Sequence, residues 1–163
     1  MRRLVGIALA ASLLAAAPSS AHHAGETFQA GSLVVSHVWA HENPPSSHAN
    51  AVYLTVVNDG LEADRLMGVE GDFFHSAEFQ APVVDEDGVL RTKSLSAIEI
   101  GPGQSLTFQP GGVQILLVGL QTSFFEGDHF HLSLLFERAG RLEVEVEVEG
   151  LQHDHRPSDM PGS

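Results

Sequence analysis

The stretch Leu142-Glu143-Val144-Glu145-Val146-Glu147-Val148-Glu149 decides how this chain is to be read. Successive side chains of a strand point to opposite faces. A period of two therefore puts Leu142, Val144, Val146 and Val148 on one face and the glutamates on the other. A helix would scatter both sets around its axis. The stretch predicts a half-buried strand whose acidic outer face discourages pairing with another chain. Just upstream, His129-Phe130-His131-Leu132-Ser133-Leu134-Leu135-Phe136 carries the same alternation. Phe130, Leu132, Leu134 and Phe136 form its apolar face, and His129, His131 and Ser133 point the other way.

Working outward, the rest of the chain is punctuated in the same style. Residues 33–41 alternate, with Val34, Ser36, Val38 and Ala40 expected on one face and Val35, His37, Trp39 and His41 on the other. Further strands are expected at 51–57, 65–69, 77–84, 95–100, 105–108 and 113–118. Asn58-Asp59-Gly60 and Asp85-Glu86-Asp87-Gly88 supply turns between them. There is no helical periodicity and no internal repeat. A length of 163 residues suits one core, and 43% hydrophobic residues suffice to build it. Short strands separated by regular turn signals define an all-β antiparallel sandwich or barrel.

The first residues read as a targeting segment. Arg2 and Arg3 precede an apolar run at 4–17 that is short for a membrane span, Pro18 breaks it, and Ser19-Ser20-Ala21 offers small residues for cleavage. The expected organisation is a signal peptide at 1–21, a β-barrel domain at 22–150 and a flexible histidine-containing tail at 151–163. No later segment is apolar enough to span a bilayer, so a soluble protein exported to a periplasm is expected. Cleavage after Ala21 makes His22 the N-terminus. Ala17 and Ala24 are the rival sites, and the second would destroy the His22-His23 pair.

Composition removes several function classes. Eight Lys and Arg stand against 21 Asp and Glu, for a net charge of −13, so nothing here neutralises a run of phosphates and nucleic acid is excluded as a partner. The absence of cysteine removes disulfides, iron–sulfur clusters, thiolate zinc sites, thiol catalysis and a lipid-modified N-terminal cysteine. No G-x-S-x-G elbow and no phosphate-cradling glycine loop occur, and the paired carboxylates read as solvated surface. No catalytic residue is assigned, and the chain is read as a non-enzyme.

Ten histidines in so short a chain are the compositional oddity. Imidazole is the commonest metal ligand and suits copper, zinc and nickel. His129 and His131 share a strand face at i and i+2, so both rings can turn toward one ion. His37 and His41 flank Trp39, with His41 beside the Pro44-Pro45 loop. His48 and His75 read as exposed polar residues. His153-Asp154-His155, with Met160 beyond, reads as tail, and Met67 reads as core. His22 has distinct chemistry as an N-terminus. Its α-amine and its own Nδ1 close a chelate ring, and one further histidine completes a nitrogen-only T shape, the histidine brace. Tetragonal nitrogen sites favour Cu(II).

The chain also resembles the periplasmic copper chaperones of the PCuAC family. The matching stretches are Val38-Trp39-Ala40 with the Pro44-Pro45 loop, Ala51-Val52-Tyr53-Leu54-Thr55, Asp87-Gly88-Val89 and Ile98-Glu99-Ile100. Pro110-Gly111-Gly112, Leu117-Val118-Gly119-Leu120, Glu126-Gly127-Asp128 and Leu134-Leu135-Phe136-Glu137 complete them. The resemblance implies a cupredoxin-like β-barrel that carries copper toward cytochrome oxidase or another periplasmic cuproenzyme and its assembly factors. The family's metal motif, H-x10-M-x21-H-x-M, a Cu(I) site, falls here on Gln80, Thr92, Gln114 and Leu116, with one extra residue in the first turn. All four ligands are replaced while the later spacing survives.

The expected function is therefore a periplasmic copper-binding chaperone or reservoir, holding Cu(II) through His22 with His131, His129 and His41 as candidate partners. Pairing Val118 with His129 in a hairpin would bring His131 onto the sheet face of the lost motif. Two other readings remain open from sequence: a copper-dependent oxidative enzyme of the lytic monooxygenase type, and a metal-free interaction module on the same fold.

Overall fold

The structure is a computed structural model and describes residues 26–151. The expected signal segment, His22, His23 and the histidines and methionine of the tail lie outside the described residues. The described chain is all strand: β1 (Thr27–Ala30), β2 (Leu33–His41), β3 (Ala49–Asn58), β4 (Asp64–Glu70), β5 (Ser76–Val84), β6 (Leu90–Leu95), β7 (Ile98–Ile100), β8 (Ser105–Phe108), β9 (Gln114–Val118), β10 (His129–Phe136) and β11 (Gly140–Glu149). They form one mixed sheet in the order β6-β5-β9-β3-β2-β11-β10-β4-β7, with β1 added to β2 and β8 to β3. Every pairing is antiparallel except β11 with β2.

The all-β expectation holds, and so do the faces of the two strands read first. Val144 and Val146 are fully buried while the glutamates that alternate along the strand face outward. His129 and His131 are exposed opposite the buried Phe130 and Leu132. The core is built mainly of apolar side chains, with Leu33, Val35, Ile115, Leu117 and Leu134 entirely removed from solvent.

Four expectations are corrected. In β2 the register against β3 shifts between Ser36 and Trp39 at a bulge, where His37 takes a positive φ of 54°. An extra residue in one strand inverts the alternation beyond it. Leu33, Val35, Val38 and Ala40 are therefore the buried set, and Trp39 and His41 share the outer face with Val34 and Ser36. The expected strand at 95–100 is two, β6 and β7, which lie at opposite ends of the strand order. Met67 is well exposed rather than core. The hairpin between β9 and β10 does not form. Both edges of β9 are occupied by β3 and β5, and both edges of β10 by β11 and β4, so Val118 has no free side to offer His129.

Two hand-overs shape the barrel. β3 pairs with β9 along Ala49–Val52 and with β8 along Leu54–Val57. β2 likewise pairs with β1 up to Ser36 and with β11 from Trp39. The bulge at His37 lies where β11 takes over from β1.

Candidate metal centre

The connections place several histidines at one end of the barrel. His41 ends β2, His48 precedes β3, His75 precedes β5 and His129 opens β10. The described chain also ends there, and its start points that way. β1 runs antiparallel to β2, so upstream of Thr27 it heads toward the end marked by His41. Glu149, at the end of β11, is the partner of His41. Buried Asn43 ties the covering loops together: its backbone N–H donates to Phe124 O at 2.9 Å, its Oδ1 accepts from Phe124 N at 3.1 Å, and its Nδ2 donates to Thr122 O at 3.4 Å.

On the outer face, His129, Glu147, Trp39 and Tyr53 stand side by side across β10, β11, β2 and β3. Trp39 packs on Tyr53 with ring centroids 4.6 Å apart and meets His41 nearly perpendicularly at 5.0 Å. Burial raises the Tyr53 phenol above its ordinary pKa. The Nδ1 of His41 is buried without a hydrogen-bond partner. Such a nitrogen ordinarily finds a donor, a water or an ion.

Two residues further along β10, His131 is the direct cross-strand partner of Glu145. Glu145 sits between the two hairpin rings, its Oε1 3.4 Å from His129 Nδ1 and its Oε2 3.7 Å from His131 Nε2. Glu143 lies 3.9 Å from His131 Nδ1. These side chains are already side by side, as the i, i+2 spacing implied. Among the described residues no three His, Asp or Glu side chains are preassembled around one point as metal ligands. His41 and the His129–His131 pair do not meet directly, because β11 lies between their strands.

The four former motif positions do converge. Gln80 and Gln114 are cross-strand partners, and Gln114 Nε2 donates to Gln80 Oε1 at 3.1 Å. Leu116 lies two residues along the same face of β9, opposite Glu78, and Thr92 faces Pro82 in the next strand. An amide pair thus joins the two positions where the family motif has histidines. His131 lies across β3, β2 and β11 from this face, not on it as the hairpin register implied. His41 is nearer: it follows Ala40, the partner of Val52, and so lies two strands from Leu116, the partner of Ala51.

Sequence reasoning passed over two features. Trp39 and Tyr53 form an aromatic contact that the β2 bulge creates. His48 and His75 stand on either side of Gly119, brought together only by their shared neighbour β9.

The barrel and its displaced histidines define a PCuAC-type, cupredoxin-like domain, and the comparisons with known proteins agree. From Leu33 to Val148 the chain matches the family described as LpqE-like lipoproteins, and it belongs to that family. The copper-bound PCuAC domain from PmoF2 superposes with a TM-score of 0.67 at 26% identity, covering 77% of this chain and 98% of that one. The apo PCuAC domain from PmoF1 gives 0.68 at 22% identity, covering 77% and 99%. The solution structure of apo-DR1885 from Deinococcus radiodurans gives 0.57 at 23% identity, covering 90% and 97%, and like PmoF1 it speaks for the fold alone. No curated protein matches. No helix among the described residues is long and apolar enough to cross a membrane.

Proposed function

We propose that this protein is an exported, periplasmic copper carrier or reservoir that binds Cu(II) as cargo through an N-terminal His22 brace. Signal cleavage after Ala21 would create that N-terminus, and the mature domain would run from 22 to about 150 with a flexible tail beyond it. The family's description as lipoproteins accords with export, while the 163 residues contain no cysteine to carry a lipid.

The observation that carries the reading is the path of β1. With Thr27 paired to Ser36, its upstream continuation points along β2 to the end where His41 and His129 lie. Glu26 lies four residue steps after His22, a reach of at most about 14 Å at roughly 3.5 Å per residue. His131, His129 and His41 are the side chains we assign as partners of His22, in that order. Glu145 orients the hairpin imidazoles as a carboxylate commonly does beside a metal-bound histidine. The copper-bound neighbour supports copper as the metal. A nitrogen-only donor set supports Cu(II), because no thioether stands at the former motif. A carrier role needs no substrate platform, and its acceptor would be a periplasmic cuproenzyme or its assembly factors.

The test is Cu(II) titration of protein starting at His22, followed by electron paramagnetic resonance. One tight equivalent with nitrogen coupling is expected. Adding one residue before His22 breaks the chelate and weakens binding, on the order of the 10²–10⁴ that linking two ligands contributes. Equal affinity in the extended protein would end the brace reading. Single His→Ala variants at 131, 129 and 41 should each weaken binding more than His37→Ala does.

A further inference from the structure

His48 and His75 lie in loops distant in sequence, yet both are pinned to the same point of β9. His48 O accepts from Gly119 N at 2.8 Å and from Leu120 N at 3.1 Å, while His75 N donates to Val118 O at 2.9 Å. Ala49 and Ser76 are both partners of Val118, so just past these strand ends His48 and His75 flank Gly119 from either side.

Between them stands the one residue type with no side chain. A Cβ at Gly119 would lie 2.7 Å from the Cβ of His75, and the backbone there has a φ of +74°. Any other residue would fill the gap and strain the turn. Strands lie about 4.8 Å apart, so the two histidine backbones are separated by about 10 Å. That span suits two imidazoles sharing one ion at the usual metal–nitrogen distance of about 2.0–2.1 Å. Both residues are exposed, and among the described residues no hydrogen bond or ion pair occupies either ring. The net charge of −13 draws cations toward any such site.

We propose that His48 and His75 form a second metal site, separate from the His22 brace. It takes one borderline divalent cation, Zn(II) or Cu(II), between two neutral imidazole nitrogens with water completing the coordination. The site needs neither a free N-terminus nor the hairpin histidines, so it survives if the brace reading fails.

Imidazole signals followed by nuclear magnetic resonance test it, on the mature chain bearing one extra residue before His22. Zn(II) is added first, and Cu(II) in a second series read by paramagnetic broadening. In at least one series the His48 and His75 signals should respond together along one titration curve. His48→Ala should abolish the His75 response, and His75→Ala the His48 response. The affinity should fall by at least the roughly tenfold that even outer-shell changes cost. His48→Asn and His75→Gln, checked for an unchanged amide spectrum, guard against misfolding. The proposal is overturned if the two signals respond at different metal concentrations, if either response survives loss of the other ring, or if neither metal moves them.

Discussion

The face formed by β5, β6 and β9 and the histidine-bearing end of the barrel make opposite use of the same scaffold. On the first, the spacing of a metal motif persists and brings Gln80, Thr92, Gln114 and Leu116 together, but the donor atoms have gone. A Gln114–Gln80 hydrogen bond joins strands that a metal would bridge in the resembled family. At the second, no motif is legible, yet chain connections gather His41, His48, His75 and His129 around loops held by Asn43. Spacing can thus outlive chemistry in one region, while topology assembles candidate ligands in another.

Restoring the lost chemistry gives the largest effect and can break the comparison outright. Gln80→His, Thr92→Met, Gln114→His and Leu116→Met combined should raise Cu(I) affinity by orders of magnitude over a weakly binding parent, because thioethers suit the softer ion. Competition against a Cu(I) chelator reads this. An unchanged affinity would show that the surviving spacing no longer encodes the site, the extra residue before Thr92 being the first suspect.

Asn43→Ala probes the other region. It leaves the Phe124 N–H and the Thr122 carbonyl without their buried partner, which costs about 1–3 kcal/mol. Chemical denaturation measures the loss. Cu(II) affinity should fall with it, because these loops frame the end to which His22 is assigned. Retained Cu(II) affinity in the destabilised variant would detach the loops from the site.

Gln114→Ala is the matching change on the former ligand face. The amide pair is only part-buried, so its removal should cost roughly 0.5–1.5 kcal/mol and leave Cu(II) binding untouched. A drop in Cu(II) affinity would show that the two regions are coupled.

The smallest effect lies at the opposite end of the barrel, which ion pairs close instead of histidines. Arg65 donates twice to Glu137, at 2.8 Å each, and Arg138 pairs with Glu62. The Arg65 guanidinium, chiefly through its hydrogen bond, holds the Glu137 carboxyl below the usual carboxylate range. A carboxyl whose folded pKa is depressed adds stability above its unfolded pKa and loses it as pH falls through the folded one. Arg65→Gln should therefore lower stability slightly at neutral pH, with the difference from the parent vanishing in acid. Both groups are exposed, so the pair contributes little to stability. Denaturation midpoints measured across the acid range check it.

The all-β class, the inward faces of β10 and β11, the Asp85–Gly88 turn and the resemblance to copper chaperones were legible in the sequence. Each rests on near neighbours in the chain, whose side-chain direction follows from a period of two. The orientation of Trp39 and His41 was not legible, because a single bulge at His37 inverts every residue after it. Nor was the separation of β9 from β10: adjacency in sequence suggests a hairpin, but only the whole sheet shows that both edges of each strand are taken. The meeting of His48 and His75 across Gly119 is of the same kind. Sequence fixes which donor atoms a chain owns and which face of its own strand each occupies. Which strands become neighbours is decided by burying all the apolar faces at once, and that tertiary solution alone determines which histidines can share a metal.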